Sequence, residues 1–190
     1  CNPKDDIRID TVGPAFAANE VKIADDGEIL VKGENVMLGY WNNEEETKKV
    51  LNDGWLSTGD VGHFENKYLK ITDRKKDILI TPGGENISPI KIENDLLKID
   101  FVEQTLVYGD NKRYFVALLV LNKEKPNITD EIILKELEIV NKNLSKIEKI
   151  KKFIVIKDQF TIENGLVTPT LKLKRYKIIQ KYKNHLENLY

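Results

Sequence analysis

Five charged residues in a row, Asp73-Arg74-Lys75-Lys76-Asp77, stand between a strand-like run at 68–72 and the apolar Ile78-Leu79-Ile80. No core accepts such a block unless every charge in it is paired. The chain is therefore divided there, by a solvated linker or by a hinge that carries charged groups to a ligand. A Pro-Gly-Gly turn and a second polar cluster follow at once, in Thr81-Pro82-Gly83-Gly84-Glu85-Asn86. Before the block the chain reads as β-rich. After it the pattern is mixed α/β. The expected class is α+β, with a β-rich part at 1–73, a short hinge at 74–77 and a small α/β domain at 78–190 holding three main helices.

The local signals support that division. Strand-like runs at 20–23 and 28–32 are joined by Asp25-Asp26-Gly27, which has hairpin turn chemistry. Asn43 caps a short helix with Glu44, Glu45 and Glu46 in its first turn, and Asn52-Asp53-Gly54 is expected to end it. A glycine-punctuated strand and loop covers 54–60, and 68–72 is a further strand. Past the charged block, 78–81 is a short strand. Ser88-Pro89 then opens a helix with Ile92, Leu96 and Ile99 on one face. Strands at 105–108 and 114–121 flank Asp110-Asn111-Lys112. A longer helix from about Thr129 aligns Ile133, Leu137, Val140, Leu144 and Ile147. A strand at 153–156, a tight turn at Asn164-Gly165 and a last helix from about Tyr176 complete the chain. That helix is expected to bury Ile179, Tyr182, Leu186 and Leu189.

Composition excludes several classes. A hydrophobic content of 41% supplies a real core, and a formal net charge of -1 gives no electrostatic reason to expect nucleic acid as a partner. The single Cys, Cys1, forms no intrachain disulfide, and with two His it makes no ordinary structural zinc site. A reducing cytoplasm is the expected compartment. No apolar stretch approaches the length of a membrane span, so any membrane association would be peripheral. The Asn-x-Ser/Thr triplets at Asn86, Asn127 and Asn143 read as chance. His63 and His185 lie in plain contexts, without a Gly-x-Ser-x-Gly elbow. The start at Cys1-Asn2-Pro3, without an initiator Met, suggests a fragment or processed piece.

Four segments carry chemistry in combination. Each alone is an ordinary turn or basic loop. Ser57-Thr58-Gly59-Asp60 follows Gly39-Tyr40-Trp41, Glu46-Thr47 and Gly54-Trp55; then come the 73–77 block, the 81–86 turn and Thr168-Pro169-Thr170-Leu171-Lys172-Leu173-Lys174-Arg175. In this order they resemble the carboxyl-terminal third of the AMP-forming acyl-CoA synthetases. The long-chain fatty acid branch of that adenylate-forming superfamily is the nearest, because the Thr-Pro-Thr-Leu-Lys form replaces the Gly-Lys form of peptide-synthetase adenylation domains and luciferases.

The resemblance implies that residues 1–73 are the end of a large domain and that 78–190 form a mobile domain rotating between two half-reactions. ATP and a fatty acid first give an acyl-adenylate and pyrophosphate; CoA thiol then takes the acyl group. Asp60 would accept hydrogen bonds from both ribose hydroxyls, as a two-oxygen carboxylate can. Arg74 would touch ribose or phosphate, with Tyr68 beside the nucleotide. Asp73 and Lys76 would belong to the hinge, Lys76 as pivot. Gly83, Gly84 and Glu85 would line the CoA tunnel, where small residues admit the pantetheine arm. Lys172, three residues before Arg175, would bridge the carboxylate and the α-phosphate, with Lys174 as the rival. The family's phosphate loop and its Mg²⁺-holding Glu match nothing in these 190 residues, so ATP, Mg²⁺ and CoA imply an upstream large domain as partner and an isolated chain without activity. Two alternatives remain: a non-catalytic module binding CoA or nucleotide, and an acyl-AMP ligase with a carrier-protein acceptor.

Overall fold

The computed structural model describes residues 1–125 and 127–190, in two compact units, 1–76 and 77–190. The architecture is mixed α/β, as the sequence led one to expect.

In the first unit, β1 (Asn19–Ile23) and β2 (Glu28–Gly33) form an antiparallel hairpin with Val21 opposite Val31. Its turn holds Gly27 at φ +85, and Asp26 Oδ1 accepts the Glu28 amide at 3.1 Å. Helix α1 (Glu44–Val50) starts at Asn43, whose side chain accepts from the Glu46 amide at 3.1 Å. Asn52-Asp53-Gly54 does something other than end that helix. Leu51 is already extended, and β3 (Leu51–Asn52) pairs with the start of β4 (Trp55–Glu65). Asp53 and Gly54 take φ of +50 and +79, the form of a two-residue hairpin loop. An Asn-Asp-Gly run suits a helix stop and a hairpin alike, and strand pairing decided between them. β4 runs on past 60 because its second half pairs with β5 (Tyr68–Arg74) across a turn with Asn66 at φ +59. The sheet order is β1-β2-β4-β3, with β5 also on β4. Among the described residues of this unit, Ile29 and Tyr68 are the large apolar side chains that are buried, whereas Leu38 and Trp41 lie exposed.

The second unit is built around β9 (Phe115–Leu121), which pairs antiparallel with β8 (Val102–Tyr108) and parallel with β10 (Ile150–Ile156). Its unbroken apolar run is explained by cover on both faces. Phe115, Ala117 and Leu119 pack in one cluster with residues of α2 (Pro89–Leu96) and α3 (Asp130–Lys142). Val116, Leu118 and Val120 pack in another with α4 (Arg175–Glu187). The parallel pair needs a crossover, and α3 lies in it. Ser88 caps α2 by accepting from the Lys91 amide at 3.3 Å, with Pro89 in the first turn. A short pair, β6 (Leu79–Ile80) and β7 (Asn86–Ile87), precedes α2.

Two apolar stripes differ from the expected ones. In α3, Ile133, Leu137 and Val140 are buried and Leu144 is buried just past the helix, but Ile147 is 44% exposed. The helix stops at Lys142, so helical spacing no longer aims residue 147 inward. In α4 the buried line is Ile178, Tyr182 and Leu186; Ile179 and Leu189 flank it, partly buried. Among the described residues no helix is long and apolar enough to cross a membrane.

The Tyr182 hydroxyl is buried in α4 and has no hydrogen-bond partner among the described residues, at a point where the helix departs to φ -104 and ψ 15. An unpaired buried hydroxyl costs roughly 1–3 kcal/mol of desolvation. Tyr182→Phe should therefore leave stability unchanged or raise it by about 1 kcal/mol, read from the urea midpoint. A clear fall would show that the hydroxyl is paired.

Candidate functional site

In the first unit the site forms on the β4–β5 pair. Gly59, at φ +71, turns β4 so that Asp60 faces Arg74 across the register, and Arg74 Nε meets Asp60 Oδ1 at 2.8 Å. Two residues named separately from the sequence are thus one ion pair. Thr58 Oγ1 donates to the Ile29 carbonyl at 2.7 Å and accepts from the Asp60 amide at 3.1 Å, which fixes the loop from beneath. Glu28, 8% exposed, accepts the Gly59 amide on Oε1 at 2.9 Å and the Lys75 ammonium on Oε2 at 2.8 Å. Lys75 also meets Asp26 at 2.6 Å; Asp26 first and Glu28 second hold its pKa above the ordinary lysine value. Nothing about Glu28 stood out in the sequence, since a strand-initial Glu is usually solvated.

Asp73 is 3% exposed within β5, and its carboxylate accepts the Arg74 amide at 2.7 Å. Lys75–Asp77 form a single 3-10 turn across the boundary of the two units, with Lys76 exposed. Tyr68 is a core residue rather than a surface one: its ring is fully buried, and its hydroxyl donates to the Asp6 carbonyl at 3.1 Å.

In the second unit, residues 81–85 close a tight turn. Thr81 N donates to the Glu85 carbonyl at 3.0 Å, Gly84 N donates to the Thr81 carbonyl at 2.9 Å, and the Thr81 hydroxyl donates to the Glu85 carboxylate. That hydroxyl holds the Glu85 carboxyl below its usual range. Gly84 has open space around a would-be Cβ but φ +85, so its glycine serves the backbone conformation. This turn lines an open cleft of about 610 Å³ together with Lys112, Arg113, Lys146, Lys149 and Lys151. The sequence reading missed these five cations as a group. Three of them lie in the basic run 146–152, which resembles any solvated face until the start of β10 brings it beside the 110–113 turn.

Lys112 is steadied by Glu187 at 2.6 Å, which also accepts from the Tyr108 hydroxyl at 2.5 Å. Lys112 first and Tyr108 second hold the Glu187 carboxyl low, while burial and then Glu187 push the Tyr108 hydroxyl up to about 12. Tyr190 stacks on Tyr114 at 4.9 Å and donates to the Tyr114 carbonyl at 3.0 Å, closing the same hairpin from outside.

The Lys172 loop is a small hairpin between Val167 and Leu173. Thr168 N donates to the Lys172 carbonyl at 2.8 Å, and Thr168 Oγ1 accepts the Lys172 amide at 3.0 Å. Leu171 sits at φ +61 and is 77% exposed. Lys172 is exposed at the exit of this turn, and Lys174 is half-buried at the head of α4. Arg175 anchors the loop. Its Nη2 donates to both oxygens of Glu93, at 2.8 and 2.7 Å, and its Nη1 donates to the Val107 carbonyl at 3.2 Å. Glu93 also accepts the Val107 amide at 2.6 Å. The ion pair is nine-tenths buried on the Glu93 side.

Residues 76–190 match the family model of the AMP-binding enzyme C-terminal domain. The chain belongs to the AMP-binding enzyme family. Relatives within it include the long-chain-fatty-acid–CoA ligase FadD15 of Mycobacterium tuberculosis, 35% identical across 97% of this chain and 34% of that protein. Long-chain-fatty-acid–CoA ligase 5 of mouse is 36% identical over 94% of this chain and 31% of its own length. A chloroplastic long-chain-fatty-acid–[acyl-carrier-protein] ligase of Arabidopsis thaliana, AEE15, is 34% identical over 86% of this chain and 25% of that protein. Among solved structures, the O-succinylbenzoate coenzyme A synthetase of Bacillus subtilis in complex with AMP superposes with a TM-score of 0.72 at 31% identity, over 90% of this chain and 35% of that one. The chain spans about a third of the length of the ligases it matches.

Two stability effects follow for this member of the family. Removing one partner from a buried ion pair leaves the other uncompensated, at about 3–5 kcal/mol. Glu93→Ala should lower unfolding stability by that amount in calorimetry, while Lys172→Ala costs almost nothing. A left-handed leucine is strained by roughly 1–2 kcal/mol. Leu171→Gly should therefore raise the melting temperature, and a lowered one would show that the leucine side chain holds the loop.

Proposed function

We propose that this chain is the carboxyl-terminal part of an AMP-forming long-chain fatty-acid–CoA ligase. The observation that carries the reading is the cleft in which the 81–85 turn meets five cations. A thiol substrate with a slender pantetheine arm and several phosphates suits such a cleft: the arm passes the glycines, and the phosphates meet Lys112, Arg113 and the lysines of 146–151.

In the first half-reaction a carboxylate oxygen of the fatty acid attacks the α-phosphorus of ATP, and the bond to pyrophosphate breaks. Asp60 accepts from the ribose hydroxyls while Arg74 Nε stays on its Oδ1. Lys172 supplies the charge that draws carboxylate and α-phosphate together. In the second half-reaction the CoA sulfur attacks the acyl carbonyl and forms the carbon–sulfur bond, the bond from the acyl carbon to the phosphate oxygen breaks and AMP leaves with its electron pair, and the thiol proton goes to solvent. Gly83, Gly84 and Glu85 flank the thiol's arm, and Asp73 and Lys76 bracket the backbone that rotates between the two steps. Among the described residues no group of three or more His, Cys, Asp or Glu side chains is placed to hold a metal ion. ATP, fatty acid and CoA are the substrates, and the upstream large domain of the same polypeptide is the partner. The carrier-protein ligase among the relatives supports a second reading, with a phosphopantetheine on a carrier protein as the acceptor.

Half-reaction kinetics test the assignment in the chain extended upstream to the length of its relatives. Lys172→Ala should cut fatty-acid-dependent pyrophosphate release by about 10²–10³, in the range of losing one transition-state donor. Thioester formation from supplied acyl-adenylate should survive. Equal loss of both steps removes the role given to Lys172, and loss on Lys174→Ala instead moves it there. Supplying CoA and carrier protein in parallel decides the acceptor.

A further inference from the structure

Lys75 stands one residue beyond Arg74, yet its ammonium reaches back to the β1–β2 hairpin. It meets Asp26 Oδ2 at 2.6 Å and Glu28 Oε2 at 2.8 Å. Glu28 spends its other oxygen on the Gly59 amide at 2.9 Å. Asp26 in turn accepts the Glu28 amide at 3.1 Å, so both carboxylates are set by one turn. A single line of polar contacts therefore runs from Lys75 through Glu28 to the peptide that precedes Asp60. Gly59 is left-handed at φ +71, and its Cβ position is open, so packing does not hold that conformation. The Glu28 carboxylate and the Thr58 hydroxyl hold it instead.

We propose that Glu28 and Lys75 form a clasp that positions the Thr58-Gly59-Asp60 loop for the ribose of the nucleotide and ties that loop to the backbone segment leaving the first unit. The proposal rests on the reading of Asp60 given above. Its physical content is the cost of parting the pair. The Glu28 side chain is 10% exposed, and a carboxylate so placed is poorly solvated without its cation. A turn of the Lys75–Asp77 segment that carries Lys75 away leaves Glu28 and Asp26 facing each other without their shared cation. The loop then loses the acceptor that orients Gly59, or the carboxylate turns towards water and takes the amide with it. Rotation of the segment and ribose affinity become two readings of one equilibrium. Neither residue touches the nucleotide in this arrangement; both act through the loop.

Hydrogen exchange at the Gly59 amide in the 190-residue chain reads the clasp without reference to catalysis. Lys75→Met should speed that exchange at least ten-fold, and Glu28→Gln, which keeps the shape and removes the charge, should do the same. The double substitution should be no faster than either single one, and Lys75→Arg should restore the slow rate. An unchanged Gly59 rate in Lys75→Met, or effects that simply multiply in the double variant, overturns the clasp.

In the upstream-extended chain, Lys75→Met should raise KM for ATP about ten-fold with a smaller change in kcat for adenylation. A flat KM alongside a fast Gly59 amide overturns the positioning role. Asp60→Ala run beside it separates the two failures. If that variant raises KM, only the clasp's part is wrong; if it does not, the ribose reading of Asp60 has failed.

Discussion

A carboxylate inside a small domain has to be neutralised where it lies, and the second unit depends on how Glu93 meets that demand. Its two oxygens take Nη2 of Arg175, and one of them also takes the Val107 amide. Helix α2, strand β8 and the first turn of α4 are thereby fixed to one another at a single point. The 168–172 hairpin immediately precedes that point. Lys174 N donates to the Leu166 carbonyl at 2.7 Å, so the loop is braced at its root and open at its tip. Without the pair, α4 could still cover Leu106, Leu118 and Val116 by hydrophobic contact, which is non-directional. It could not specify which turn of the chain presents Lys172.

The first unit repeats this device with different partners. Glu28 is the buried carboxylate, Lys75 the cation and Gly59 the backbone donor. In both units a loop that carries a charged side chain hangs from a carboxylate holding one cation and one amide. Charge-assisted hydrogen bonds are shorter and stronger than neutral ones and have direction. They suit loops too thin in apolar contacts to be set by packing.

Much of this was legible in the sequence because it rests on local rules. Asn43 and Ser88 cap their helices through their own side chains. The apolar run at 114–121 read as a strand, and β9 occupies Phe115–Leu121. Asp60 and Arg74 were named one by one, but their pairing depends on a β4–β5 register that pattern alone does not give. Ile147 was missed because α3 stops at Lys142; the other misses lie in partners that pattern does not name. Whether Asn52-Asp53-Gly54 stops a helix or turns a hairpin and whether Lys149 and Lys151 line a cleft are settled by which other element lies alongside. Glu28 was the hardest to see, since its environment is made by residues 31 and 47 positions away.

Paired charge holds backbone in both units, through Arg175 and Glu93 in the second and Lys75 and Glu28 in the first. Lys172 is exposed on a turn where Leu171 is held at φ +61, a conformation that costs free energy. A loop that needed only to close would place glycine or asparagine there. The leucine is tolerated because Thr168 binds the Lys172 peptide through both its backbone and its hydroxyl, so the strain is borne by a closed ring of hydrogen bonds. The result is an exposed lysine at the exit of a hydrogen-bonded turn, a point charge on a flexible stem whose root is fixed by the backbone.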